Sequence, residues 1–306
     1  MAPPTALPRT ALLVRNGDKP AEWLPAVTER LAAAGIEVRD RPTGSADTCR
    51  ATIAGEGARA DLVVVAGGDG TLAGSAHGVI EAGKPLGVLP LGTANDLART
   101  LGIPADPLDA AEIIAAGRSR RIDLGLANGH PFFNVASVGL AADVADALRS
   151  QEKQALGRFA YAAAAARVLL HARQFQAEIV VHAKGGDRVL RTRSYQVAIG
   201  NGRYHGGGVA VSEDAEIDDG ELMLYSLEPG SLWKVAMLAP LFRRGQHVRW
   251  DEVRTATAPA MTLRTARPMP VNLDGDLATE TPVDLRVLPK AIEVFAPPPP
   301  MPDDSF

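Results

Sequence analysis

Short apolar runs alternate with stretches of helical spacing from residue 10 to about residue 126. Ala11-Leu12-Leu13-Val14 and Leu62-Val63-Val64-Val65-Ala66 contain no polar position, and Leu86-Gly87-Val88-Leu89 is a third such run. Unbroken runs of this length read as strands covered on both faces. Between the first two, Trp23, Leu24, Val27 and Leu31 recur at helical spacing over Ala21–Ala34. Gly35 stands where a helix ends, and Pro25 fits only in a first turn. Ile36–Val38 reads as the next strand, a helix follows Thr43-Gly44-Ser45, and another covers Thr71–Ala82. This alternation predicts a parallel α/β sheet.

Beyond residue 130 the pattern changes. Phe132–Ser137 reads as a strand and residues 140–173 as helical. Short strands follow at 176–182, 187–199, 221–227, 261–264, 271–274, 283–288 and 292–295, interrupted by a helix around 231–243. Such a series predicts an antiparallel sandwich or barrel-like domain. The organisation expected is an α/β domain over 8–128, a β-rich domain over 129–296 and a disordered proline-rich tail over 297–306.

Composition narrows the chemistry. The chain has 306 residues, of which 46% are hydrophobic and 22% charged, with a net charge of −4. That is a globular balance without the positive field that nucleic acid would attract. Cys49 is the only cysteine, so there is no disulfide framework and no cysteine zinc site, and a reducing compartment fits. Met1–Arg9 carries three prolines and no apolar core, which does not read as a signal peptide. No run reaches the roughly 18 apolar residues of a membrane span, so any membrane contact is expected to be peripheral.

Two glycine-threonine turns carry the candidate chemistry. Gly67-Gly68-Asp69-Gly70-Thr71 follows one buried strand, and Pro90-Leu91-Gly92-Thr93-Ala94-Asn95-Asp96 follows another. Strand, tight turn and helix start, twice in one sheet, offer backbone amides to phosphate and point to a nucleotide-using enzyme. Asp69 is the odd member, since a carboxylate meets phosphate only through a metal ion, a water or a proton. The competing reading of the first turn is a glycine-rich connection with Asp69 as a helix cap. Gly78–Lys84 imitates a P-loop spacing, but Pro85 replaces the Ser or Thr that would hold magnesium. Gly200-Asn201-Gly202 imitates a dinucleotide fingerprint without a helix after it.

Together these turns resemble the diacylglycerol kinase-like lipid kinases. Phe133-Asn134-Val135-Ala136-Ser137-Val138-Gly139 looks like that family's linker strand. Gly200-Asn201-Gly202-Arg203 with Gly206–Gly208, and Asp218-Asp219-Gly220-Glu221-Leu222, look like its second-domain signature. Asn272-Leu273-Asp274-Gly275-Asp276 resembles its late Asp-Gly-Glu motif, and Asn16-Gly17 matches the YegS-like branch. The resemblance implies ATP-dependent phosphorylation of a lipid hydroxyl by an α/β nucleotide-binding domain and a β-rich sandwich domain, with the active site in the cleft between them. It implies Asn16, Thr43, Gly67, Gly68, Asp69, Gly70, Thr71, Gly92, Thr93 and Asn95 around the nucleotide. It also implies magnesium held by the Asp219 carboxylate and the Glu216 and Glu221 carbonyls. Asp274 and Asp276 would flank the reacting hydroxyl, either one serving as general base, with Asp69 holding catalytic magnesium through water. Asp276 stands where the family usually has Glu, one methylene longer.

Other readings stand beside these. The run Glu213, Asp214, Glu216, Asp218, Asp219, Glu221 reads either as a magnesium site or as a solvated turn; it is no EF-hand, because Tyr225 occupies the twelfth position from Asp214. Residues 231–250, with Trp233, Leu241, Phe242, Trp250, Arg243 and Arg244, and residues 149–173 mix arginine with apolar side chains. Each is either a membrane-facing segment or an amphipathic helix with its arginines in water. The acceptor is any of diacylglycerol, phosphatidylglycerol, ceramide or a sphingoid base, with a lean to phosphatidylglycerol or a related glycerolipid. A kinase for a soluble substrate such as NAD and a binding module without turnover are the alternatives. The expected setting is cytoplasmic, peripheral to a membrane and without nucleic acid; the oligomeric state is unread, a homodimer being one option.

Overall fold

Parallel strands and helices come first, as the apolar alternation requires. The computed structural model describes residues 10–18, 20–140, 142, 172–202, 204–205, 209–210, 216–230, 234 and 246–298. Two compact units emerge: residues up to 122 together with those from 291 on, and residues 123–290.

The first unit contains β1 (Thr10–Asn16), α1 (Leu24–Ala33), β2 (Glu37–Thr43), α2 (Ala46–Glu56), β3 (Leu62–Gly67), α3 (Asp69–Ala82), β4 (Leu86–Pro90), α4 (Asp96–Leu101) and α5 (Pro107–Ala115). Its strands lie side by side in the order β2-β1-β3-β4, all parallel. Every residue of β3 and β4 is buried, which explains their unbroken apolar runs. Helix α1 begins at Leu24 rather than Ala21, because Pro25 is tolerated only in the first turn, where it in fact lies. Helix α2 starts with a reciprocal cap: Thr48 N donates to Ser45 Oγ (3.2 Å) and Ser45 N to Thr48 Oγ1 (3.0 Å).

Cys49 on α2 is 2% exposed. Burial pushes its thiol up from about 9 to about 11, against a hydrogen bond with Thr43. A thiol raised on folding adds stability that is fully present below pH 9 and is lost as the pH climbs towards 11. The native protein is expected to resist a thiol-exchange reagent at about pH 8 that labels the urea-unfolded chain at once. Equal labelling rates for the two states would contradict this burial.

The chain enters the second unit within β5 (Ser119–Ala127) and leaves it within the last strand. The strands that follow are β6 (His130–Phe132), β7 (Val135–Gly139), β8 (Phe175–Ala183), β9 (Gly186–Ser194), β10 (Gln196–Gly200), β11 (Tyr204–His205) and β12 (Val209–Ala210). The rest are β13 (Leu222–Leu227), β14 (Val253–Ala258), β15 (Ala260–Thr265), β16 (Pro270–Leu273), β17 (Asp276–Glu280) and β18 (Val283–Phe295). One antiparallel sheet runs β14-β13-β10-β7-β16-β17. In the other, β15 lies between β8 and the start of β18, with β9 outside β8. A shared core joins the two sheets: Val138, Val197 and Leu224 from the first meet Ile179, Met261 and Leu285 from the second. The far face of the six-stranded sheet is covered as well, around Ala198, Tyr225 and Val253. This is a sandwich.

Two expected boundaries shift. The run 187–199 is two strands, because the chain leaves one sheet at Ser194 and enters the other at Gln196; Ser194 Oγ donates to Leu227 O (2.8 Å) at that corner. The runs 283–288 and 292–295 join in β18, which continues through Lys290 in a left-handed conformation (φ 53°). The helices expected at 140–173 and 231–243, and the end of the tail, fall almost wholly outside the described residues.

Candidate functional site

From β1 the chain passes to β2 on one side, and β3 then joins on the other. A crevice therefore opens outside the carboxyl ends of β1 and β3, the place where open α/β sheets hold ligands. Asn16 ends β1, Thr43 ends β2 opposite it in register, and Gly67 ends β3. The loop after β1 is held to β2 by Gly17 N donating to Thr43 O (2.9 Å), and Thr43 Oγ1 donates to Arg15 O (3.2 Å). A pocket at this end is lined by Asn16, Gly67 and Thr71 together with Arg15, Trp23 and Leu91. Arg15 was not legible as a site residue. A fork of hydrogen bonds to Asp40, at 2.9–3.2 Å, fixes its guanidinium.

The two turns meet. Leu91 N donates to Gly67 O (2.9 Å), and a Cβ on Gly92 would stand 2.6 Å from Gly68 Cα. Only glycine at 68 and 92 allows that approach. Asn95 adopts the left-handed conformation, accepting from Gly92 N (2.8 Å) and donating to Gly92 O (2.9 Å), so its side chain shapes its own loop. Thr93, exposed at the tip, is the turn's outward side chain.

Asp69 links the turns. Its Oδ1 accepts from Asp96 N (2.7 Å) and Leu97 N (3.4 Å), capping α4, whose own N-cap residue Asn95 turns its side chain to Gly92 and caps no helix amide. The cap of the competing reading is therefore real, but it serves a different helix. Gly68, at the start of α3, has no side chain with which to cap that helix. Amides at an uncapped helix start favour an anion.

In the second unit, one end of the six-stranded sheet gathers the remaining candidates. Met223, Gly200 and Val135 lie across from one another on β13, β10 and β7, and Asp274 N donates to Val135 O (3.1 Å). Glu221, Asn201, Asn134 and Asp274, each at or next to a strand end, thus share that end. Asp274 has φ 49° and anchors the chain before β7: its carboxylate accepts from Phe133 N (2.6 Å), Asn134 N (3.0 Å) and Val135 N (2.9 Å). None of those three amides is given to Asp276, which opens β17 half-buried.

Asp123 was not foreseen. It is 1% exposed, accepts from Gly220 N (2.6 Å) and Lys290 N (2.6 Å), and donates its own N to Ile217 O (2.8 Å). It thereby pins the turn that holds Asp219. Asp219 Oδ1 accepts from Glu221 N (2.9 Å). Partial desolvation, then repulsion from Glu221, Asp123 and Glu216, raises its carboxyl above the ordinary value in spite of that bond. No three His, Cys, Asp or Glu side chains converge as a metal cage among the described residues. One carboxylate with two main-chain carbonyls from the same turn is nevertheless an all-oxygen set of the kind a hard cation takes, and the crowded negative charge favours one. Glu213, Asp214, Arg203, Gly206–Gly208 and the arginine-rich stretch through Arg243 and Arg244 lie outside the described residues.

Known proteins resemble this chain over most of its length. Residues 11–127 match the diacylglycerol kinase catalytic domain, and residues 134–296 match the YegS C-terminal NAD kinase beta sandwich-like domain. A diacylglycerol kinase of Staphylococcus carnosus is 30% identical over 281 residues, covering 90% of this chain and 89% of its own. One of Staphylococcus saprophyticus is 30% identical over 286 residues, covering 90% of each. The crystal structure of a candidate diacylglycerol kinase from Bacillus anthracis superposes with a TM-score of 0.79 at 25% identity, covering 96% of this chain and 97% of the other.

Proposed function

The chain belongs to the diacylglycerol kinase-like family, and on that premise we propose that it transfers the γ-phosphate of ATP to the hydroxyl of a lipid. The observation that carries the reading is the joined pair of turns, Gly67–Thr71 and Gly92–Asn95, held edge to edge beside an uncapped helix start. Phosphoryl transfer asks a protein mainly for position and charge neutralisation. Backbone amides of the first turn, with Thr71 and Thr93, bind the phosphates. Asn16 and Thr43 lie at the same sheet end, towards the nucleoside.

Asp276 is the general base: it takes the hydroxyl proton as the lipid oxygen bonds to phosphorus and the bond to ADP breaks. Asp274, with its carboxylate engaged by three amides, is a positioning residue that fixes the hairpin carrying Asp276. Asp69, through the carboxylate oxygen that does not cap α4, and Asp219, with the carbonyls of Glu216 and Glu221, are the groups that would hold magnesium, which supplies neutralisation of phosphate charge. Among the described residues no helix is long and apolar enough to cross a membrane. The enzyme acts in the cytoplasm and meets the bilayer peripherally.

Incubation with radiolabelled ATP and a panel of diacylglycerol, phosphatidylglycerol, ceramide, a sphingoid base and NAD tests this. Label is expected in at least one lipid and absent from NAD. Label in NAD alone, or in nothing, would overturn the assignment.

A further inference from the structure

Among the described residues, two buried amide oxygens of the second unit have no hydrogen-bond partner. Asn134 and Asn201 are 3% and 2% exposed, and neither Oδ1 accepts a hydrogen bond. Buried polar atoms are almost always paired, and leaving a carbonyl unpaired is costly. The Asn201 amide is oriented by its nitrogen, which donates to Asp123 O (3.1 Å) and Phe133 O (2.9 Å), so its oxygen is correctly identified. The two residues are tied together: Asn201 N and Gly202 N donate to Asn134 O at 2.8 and 3.2 Å. A Cβ on Gly202 would lie 3.2 Å from Asn134 Oδ1, a crowding that the glycine avoids. Asn134 N is one of the amides on Asp274, two residues from Asp276.

Neither oxygen shapes a turn or caps a helix: the structural bonds of the Asn201 side chain are made by its nitrogen, which leaves both oxygens over. An amide oxygen only accepts, so it suits an O–H donor and disfavours a phosphate. We propose that Asn134 and Asn201 form an acceptor-binding pair whose carbonyl oxygens accept hydrogen bonds from the hydroxyl groups of the lipid headgroup. This rests on the lipid-kinase reading and deepens it: the pair sets hydroxyl recognition beside the base. The same O–H chemistry is offered by a diacylglycerol and by the terminal glycerol of phosphatidylglycerol.

The test is Asn134→Leu, of the same branched shape and without the orphan oxygen, with the smaller Asn134→Ala as a second variant. Steady-state kinetics use dioctanoylglycerol and dioctanoyl phosphatidylglycerol as separate arms in mixed micelles. In the arm the wild type uses, KM for the lipid is expected to rise about tenfold or more. KM for ATP and the magnesium requirement stay put, and the melting temperature holds or rises because a buried unpaired group is gone. A purely structural role would instead lower the melting temperature and move both KM values. A lipid KM within twofold of wild type in both variants overturns the pair, and so does a shift confined to the magnesium requirement, which would assign the oxygens to a cation. A wild-type enzyme that labels no lipid overturns the underlying reading as well, so the two failures are distinguishable.

Discussion

Asp276→Asn lowers lipid phosphorylation by about 10²–10⁴-fold, the usual worth of a positioned general base, measured at a temperature where the variant is fully folded. Asp274→Asn behaves in the opposite sense. Its carboxylate accepts three main-chain amides, and an amide side chain has one oxygen where that set needs two. An NH2 group would then face an N–H group, and charge-assisted bonds would be lost, at roughly 2–3 kcal/mol. Asn tolerates the left-handed conformation, so the backbone itself adds little strain. The expected signature is a melting temperature lower by about 5–10 °C with partial activity at low temperature. Thermal unfolding and single-turnover transfer, run on both variants, separate the roles. If Asp276→Asn keeps wild-type turnover, the base is elsewhere. Asp276→Glu restores the length usual in the family and is expected to stay active.

Gly92→Ala weakens nucleotide binding at least tenfold with little effect on the second unit. The added Cβ would stand 2.6 Å from Gly68 Cα and 2.7 Å from Asn95 Oδ1. The first of these atoms is backbone and cannot swing aside, and the second belongs to the pair of hydrogen bonds that closes the loop. The turns must therefore part, and Asp69 loses its hold on α4. Titration with a fluorescent ATP analogue is expected to show at least a tenfold weaker affinity, about 1.4 kcal/mol or more. Gly55→Ala, on α2 with nothing within 4 Å of the new Cβ, is the control and leaves binding unchanged. Wild-type affinity in Gly92→Ala would mean that the apposed turns do not bind the phosphates.

The sequence disclosed what short-range pattern encodes. Strands β3 and β4, buried along their whole length, are unmistakable as apolar runs, and the glycine turns after them follow by position. Strands β14 and β17 escaped notice because they end their sheet: Val253-Arg254-Thr255-Ala256-Thr257-Ala258 and Asp276-Leu277-Ala278-Thr279-Glu280 alternate small and polar residues, as edge strands do. The change of sheet at Tyr195 was hidden because residues on both sides keep a strand pattern.

At the site the same divide holds. Asp69 was legible as unusual, but its partner lies on a different helix, 27 positions away. Asp123 reaches Gly220 and Lys290 over 97 and 167 positions, a join that no local spacing announces. Asn134 and Asn201 sit inside recognisable motifs, yet only three-dimensional packing shows that their oxygens lack partners.

Because Val294 of β18 pairs with Leu86 of β4, the sheet of the first unit is completed only by residues made after the whole of the second unit. During translation β4 remains an open edge until the second unit has been made, and open edges invite wrong pairing. A nascent chain stalled after residue 128 would thus hold the glycine turns on an unfinished sheet, dependent on chaperones until the β18 segment arrives.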